Sequence, residues 1–324
     1  MPSIYQAANQ RLGRGVPAPP DVVRALQRDL RRLGYLRAGI DGNFGRATEA
    51  AVMALQYDLL HNAGAGPDGA ALVRVKDFNR GRVDAVDGVA GEGLAAAMAE
   101  MLGDERFAKV PESADPQCEN ARVAAALAAM QSVAVPMPFL IAILKQESGL
   151  RHFSEDRFVV VGLDRNAPGE PVITSRGYGV GQYTLFHHPP TPAEVRDVIL
   201  DPCANVKKAI HELAAKFAGF LNGATRATSA EDRLADAGAG PLRLCRYAPR
   251  DPRHMRDCRG CLAAAGTTDI ALTPTQYHPA SVYRGVPMRR NAGCDWPYAI
   301  RRYNGAGPNS YHYQAQVLLR VLNG

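Results

Sequence analysis

What the chain lacks narrows its class first. Its longest apolar stretch, Val123 to Leu144, is broken by Gln131, Pro136 and Pro138, so it holds no run of about 18 uninterrupted apolar residues and no membrane span is expected. The opening Met1-Pro-Ser-Ile-Tyr-Gln has neither a basic segment nor an apolar one behind it, so no ordinary secretory signal is expected and export would take another route. Lysine is scarce. Only six of the 38 Lys and Arg residues are lysines, and against 32 acidic residues the net charge is +6, carried mainly by arginine. Such a balance suits polyanionic surroundings but acts on encounter rather than chemistry. No dense basic run occurs, so nucleic acid is not expected as a partner. The zinc-hydrolase pattern His-Glu-x-x-His is also missing, since His211-Glu212 has no second histidine at the required spacing.

The 324 residues, 46% hydrophobic and 22% charged, exclude a wholly disordered or collagen-like chain and suit one large or two smaller domains. The six cysteines, at 118, 203, 245, 258, 261 and 294, all lie in the C-terminal two-thirds. An even, clustered set suggests disulfides formed in an oxidising compartment. The rival is a zinc site: Cys258-Arg-Gly-Cys261 has C-x2-C spacing, with Cys245 and Cys294 as further thiolates, although a second close pair is missing.

Periodicity predicts helices nearly throughout. After Val16-Pro-Ala-Pro-Pro20, Asp21 is the expected cap of a helix carrying Val22, Leu26, Leu30 and Leu33, with Gly34 as its stop. Ile40-Asp-Gly-Asn-Phe-Gly45 reads as a turn, followed by a stripe of Val52, Leu55 and Leu59. A related Asp87-Gly-Val-Ala-Gly91 precedes Leu94, Met98 and Met101, with His61 to Arg82 read as an inserted loop. The blocks Val23 to Tyr35, Asp41 to Thr48 and Ala51 to Gln56 resemble, in order, the small three-helix peptidoglycan-binding domain found on wall-degrading enzymes. The resemblance covers Pro17 to Leu102 and implies a wall-anchoring role, with Phe44 and the leucines serving as core and turn.

Residues 103–117 are polar and proline-containing and read as a linker. A helix is expected over Glu119 to Gln131, with Val123, Leu127 and Met130 on one side, and Pro136-Met-Pro138 opens another. In that helix Glu147 follows Leu140, Ile143 and Leu144 by seven, four and three positions, sharing their apolar face. A carboxyl so placed can hold its proton near neutral pH and act as a general acid. A glutamate near a helix end that reaches out to water is the open alternative.

Phe139 to Gly149, Gly177-Tyr-Gly-Val-Gly-Gln-Tyr183, Ala299 to Gly305 and Tyr313 to Leu318 resemble, in order, the motifs of lytic transglycosylases related to goose-type lysozyme. The resemblance covers Cys118 to Gly324 and implies a mostly α-helical, lysozyme-like fold with a saccharide cleft. It assigns Glu147 as catalytic acid and base and Ser148 as its neighbour. It places Ser148, Tyr178, Gly179, Gln182, Tyr303, Asn304 and Tyr313 against substrate, with Tyr311 close enough to compete with Tyr313. Three positions depart from the family: Gly181 stands for its usual methionine, Tyr178 adds a ring, and Arg302 stands for a small residue. Glu147 and Tyr303 are 156 positions apart, more than the compact family core requires, so residues 222–297 read as an insertion holding four of the six cysteines.

The expected organisation is therefore mainly α: a lead at 1–16, a peptidoglycan-binding domain at 17–102, a linker at 103–117 and a lysozyme-like domain at 118–324. The resemblance implies cleavage of the β-1,4 bond between N-acetylmuramic acid and N-acetylglucosamine, leaving 1,6-anhydro ends, with no cofactor. A hydrolytic muramidase remains open and would need a second carboxylate, for which Asp156, Asp164 and Glu170 are available. A wall-binding structural protein is the non-enzyme alternative. A cysteine peptidase built on Cys118 finds no supporting motif around His152, His187, His188 or His254. The implied partner is the glycan strand. The implied place of action is the periplasm or wall, reached by phage lysis or a specialised secretion route, with an immunity protein or the secretion machinery as further partners.

Overall fold

The computed structural model describes residues 5, 11–66, 72–129, 135–167, 169–222, 243–248, 251–267, 270, 291–304 and 308–324. The fold is mainly α, with one small antiparallel sheet, and the chain divides into two compact units. One holds residues 1–121 and 151–205; the other holds 122–150 and 206–324. The division differs from the expected one, because residues 151–205 belong with the N-terminal helices. No helix of the described residues is long and apolar enough to cross a membrane.

In the first unit, α1 (Pro20–Arg32), α2 (Arg46–His61) and α3 (Glu92–Gly103) bury the predicted stripes. Leu26, Leu30, Val52, Leu55, Leu94, Met98 and Met101 enter one core. Asp21 does not cap α1. It lies in the first turn and pairs with Arg24, while Pro20 opens the helix at a position whose N–H would have no helical partner anyway. The two Asp-Gly turns are built alike. Gln27 donates to Asp41, the Asn43 carbonyl and Thr48 at 2.8–3.0 Å and accepts from Gly42 N at 2.9 Å. Gln56 donates to Asp87 and the Val89 carbonyl at 2.6 and 3.1 Å and accepts from the N–H groups of Asp87 and Gly88. Each helix thus uses one glutamine to satisfy the backbone of the turn that precedes the next helix.

Two segments expected outside the core contribute to it. Within His61 to Arg82, a 3-10 turn over Val75–Phe78 buries both its end residues; residues 67–71 of that segment lie outside the described residues. Within 103–117, Phe107 is fully buried edge-on to Phe78, and the Val110 N–H bonds the Arg32 carbonyl at 2.8 Å.

The sheet runs β1 (Val161–Asp164), β2 (Ser175–Tyr178) and β3 (Tyr183–Leu185) in that spatial order, antiparallel throughout. One face sends Val161, Tyr178 and Leu185 into a core with Phe153, Phe158 and Ile199.

The second unit includes α5 (Met137–Ser148), which begins just after Pro136 and ends at Gly149. It packs against α7 (Arg253–Ala264) and α9 (Pro308–Asn323). Before it, α4 (Pro116–Ala129) runs close to its expected span, with Met130 and Gln131 outside the described residues. The helix α6 (Pro202–Asn222) follows the sheet in sequence; α8 (Trp296–Ala299) leads into a 3-10 turn at Ile300–Asn304. Of the proposed insertion 222–297, residues 223–242, 249–250, 268–269 and 271–290 lie outside the described residues.

All six cysteines are free thiols, so the expected disulfides are not formed. Cys245, Cys258, Cys261 and Cys294 nonetheless line one small cavity of about 20 Å³. Arg243 and Asp295 tie two of the contributing segments together at 2.7 Å. Burial, reinforced by the neighbouring thiols, pushes Cys258 and Cys294 up to about 12, so both stay protonated near neutrality. Among the described residues no group of three or more His, Cys, Asp or Glu is arranged to hold a metal.

The paired glutamines make a test of the first unit. Gln27→Met keeps the side chain's length but leaves the Gly42 N–H without its acceptor and takes one of its donors from the Asp41 carboxylate, which keeps the Asn43 N–H. Urea unfolding should show a loss of about 1–3 kcal/mol.

Candidate functional site

The site residues predicted from sequence fall into two groups, one in each unit. In the second unit, Glu147 occupies the last turn of α5, one residue beyond Gln146, and is half-buried. The facing helix α9 presents Tyr313, Gln316 and Arg320 at spacings of three and four, which puts them on one side. Gln146 donates to Gln316 at 2.8 Å and accepts from Arg320 Nε at 2.8 Å. Next along this seam, Tyr313 Oη donates to Glu147 Oε1 at 2.5 Å. This short bond fixes one carboxylate oxygen.

Tyr303, from the 3-10 turn, is buried, and the Glu147 charge acts on its phenol. Burial raises the Tyr303 phenol well above its usual range, and the charges of Glu147 and then Glu212 raise it further. Tyr313 is raised by burial first and then by Glu147. Both phenols are therefore neutral, and Tyr313 donates to the carboxyl group. Tyr311 does not compete for this position, because its ring lies under the Arg301 guanidinium at 4.5 Å. Ser148 Oγ donates back to the Leu144 carbonyl at 3.1 Å, bracing the helix end, and Asn304 is exposed. A cavity of about 320 Å³ lined by Lys145, Gln146, Gln316 and Arg320 takes in neither Glu147 nor Tyr313.

In the first unit the motif Gly177 to Tyr183 forms β2, a tight turn and the start of β3. Tyr178 is fully buried on the core face of the sheet, its hydroxyl without a hydrogen bond and pushed up to about 12 by burial. It is a core residue, which corrects its expected place against substrate. Gly179 (φ 74) is likewise a packing position: a methyl there would collide with the His152 ring at 2.5 Å and with Asn205. Gln182 (φ 50) is half-buried and donates to the Gly179 carbonyl at 2.7 Å.

His152 organises this turn. Its Nε2 donates to the Ile199 carbonyl at 2.8 Å and its Nδ1 accepts from Val180 N at 3.3 Å. This arrangement needs the neutral ring, and burial lowers it to about 4.

The carboxylates expected as a hydrolytic partner lie in the first unit: Asp156, Asp164, which accepts from Ser175 Oγ at 2.6 Å, and Glu170. In the second unit Glu212 on α6 is the carboxylate that, like Glu147, acts on Tyr303; it is also 3.9 Å from Lys208. Its only local signal in the sequence is the His211-Glu212 pair, which has no second histidine at the required spacing.

Residues 20–59 match the family model of a peptidoglycan binding domain. No curated protein and no solved structure matches the chain. The chain thus carries an N-terminal peptidoglycan-binding domain, which makes peptidoglycan its partner.

Two measurements probe these groups. Tyr313→Phe removes one hydroxyl from a charge-assisted bond and should cost about 1.5–3 kcal/mol in urea unfolding while leaving the helical circular dichroism unchanged. For His152, the unfolded ring takes up its proton near pH 6.5 and the folded one near 4. The unfolded state therefore binds more protons in between, and stability falls as pH drops through that window. In His152→Gln the slope of unfolding free energy across it should be shallower by about 1.4 kcal/mol per pH unit.

Proposed function

We propose that the chain is a peptidoglycan-cleaving lytic transglycosylase that uses Glu147 as its single acid and base. The observation that carries this reading is the Glu147 carboxyl held by Tyr313 at 2.5 Å, with its charge acting on the buried Tyr303 phenol. It is supported by the ordered motifs around those three residues and by a peptidoglycan-binding domain on the same chain. Glu147 in its acid form gives its proton to the oxygen joining N-acetylmuramic acid to N-acetylglucosamine. As carboxylate it then takes the proton of the muramoyl C6 hydroxyl, whose oxygen closes onto C1 and leaves a 1,6-anhydro end without consuming water. The substrate's acetamido group assists, so one protein carboxylate suffices. Tyr313 holds that carboxylate in one orientation through both steps, and the neutral phenols around it add no competing charge. The reaction belongs in the periplasm or wall.

A hydrolytic muramidase is the second reading, and Glu212 is the observation that favours it. Its charge and that of Glu147 both bear on the Tyr303 phenol. A second carboxylate of that kind is what an enzyme activating water requires.

Mass spectrometry of fragments released from purified peptidoglycan separates these readings. The transglycosylase gives muropeptides one water lighter than lysozyme fragments, lost in Glu147→Gln and retained in Glu212→Gln. Reducing muramic ends of normal mass, lost in both variants, would replace it with the hydrolase. Undiminished release by Glu147→Gln would remove Glu147 from the chemistry altogether.

A further inference from the structure

Four of the six thiols meet in one place. Cys258 and Cys261 stand three residues apart on α7 and so share one side of that helix. Cys245 and Cys294 come from the segments before and after it, and all four line the cavity of about 20 Å³. The two flanking segments are laced together beside their cysteines. The N–H of Asp295 donates to the Arg243 carbonyl at 2.8 Å, the N–H of Arg243 to Asp295 Oδ2 at 3.0 Å, and Arg243 Nη1 to the Ala292 carbonyl at 2.9 Å. Three segments thus deliver four sulfurs to one small space.

Each flanking sulfur also accepts a backbone hydrogen bond. The donors are the N–H of Tyr247 at Cys245 and the N–H of Trp296 at Cys294, in both cases two residues further on. A thiol sulfur is a weak acceptor, whereas an anionic one takes an N–H strongly, and bonds of this kind orient and tune metal-bound ligands. Burial raises the Cys245 thiol, and both the Tyr247 N–H and the Arg246 charge oppose it. The repeated i to i+2 bond is therefore suited to sulfur carrying negative charge.

The other polar groups of the cavity serve each other, since Tyr247 Oη donates to Asp257 Oδ2 at 2.7 Å. Phe139, Leu262 and Pro297 close the rest. A water in such a space wants two to four good partners, and thiols are poor ones. Room for about one small sphere, ringed by soft sulfur, suits a thiophilic cation. We infer that Cys245, Cys258, Cys261 and Cys294 form a four-thiolate site for one Zn2+ ion. As thiols the four sulfurs are not gathered on one centre among the described residues, and ligation draws them in. Four Zn–S bonds then replace four S–H bonds, and four protons pass to solvent. Four protein ligands leave no position for water, so the ion is structural. Phe139 lies in the first turn of α5, and Trp296 opens α8, which leads to the turn carrying Tyr303. The ion would tie α7 to both. The inference stands whether or not the chain cleaves glycan.

The test uses the full chain, purified under reductant, with Zn2+ and then Co2+ as probes. Elemental analysis should find one zinc per chain. Thiol titration of the folded, loaded protein should leave four of the six cysteines unreactive until a chelator is added. Co2+ in place of zinc should give the intense near-ultraviolet band and the visible bands of a tetrahedral thiolate complex. Cys245→Ser and Cys261→Ser should each weaken zinc binding by roughly tenfold or more and alter those bands. Cys118→Ser and Cys203→Ser, outside the cluster, should change neither. Thiols that react alike with and without zinc overturn the site, as does metal binding untouched by Cys261→Ser in a protein whose helical circular dichroism is intact. A mass lower by the hydrogens of two disulfides, with no metal retained, makes the cluster a pair of cross-links and overturns it equally. Where a serine variant fails to fold, the thiol titration of the parent protein decides alone.

Discussion

Arg176 carries the constraint on which the first unit depends. It sits in the middle strand with 4% of its surface exposed, and a guanidinium taken out of water costs several kcal/mol unless its charge and donors are answered. Three groups from the helical part answer it. The Gly34 carbonyl accepts at 3.2 Å, the Asp58 carboxylate at 3.3 Å, and the Tyr35 ring lies beneath it at 5.0 Å. Tyr35 also donates to the same Asp58 oxygen at 2.8 Å, so the carboxylate serves two buried partners. His188 lies close to this charge, and burial together with Arg176 holds its ring neutral. The sheet cannot leave the helices without stranding a cation, and so residues 151–205 and the N-terminal helices form one unit.

The second unit solves a related problem at its surface. Glu147 stands at a helix end rather than mid-helix and is half-buried there. The side chains that orient it come from a helix far along the chain, and the same seam carries the Gln146 bonds to Gln316 and Arg320. Orientation of the carboxyl is therefore a property of helix packing, not of a loop.

Much of this architecture was legible in the residues. Helices α1, α2, α3 and α5 follow from apolar spacing with Gly34 and Pro136 as punctuation, because a 3.6-residue stripe needs only local information. The Asp-Gly turns were equally plain, but the glutamines that pin them were not, since Gln27 and Gln56 read as ordinary polar helix positions. Glu147 stood out through its apolar neighbours, and Tyr313 and Tyr303 through their motifs. Tyr178 misled because its motif position suggests a surface contact, while strand alternation turns it inward. Arg176 and Asp58 carry no local signal, and Glu212 only a His-Glu pair without its second histidine: their partners lie far away in sequence or on another element, and pairing across such distances is set by topology rather than periodicity.

The bond from Tyr313 to Glu147 joins positions 166 apart, and the unit that holds them is interrupted by residues 151–205. A ribosome emits the chain in order, so the whole first unit can collapse while the second still has one stretch waiting for another not yet made. The oriented carboxyl is consequently among the last features to exist in a newborn molecule. Premature termination between residue 102 and Tyr313 yields a chain that carries its binding domain without the arrangement around Glu147.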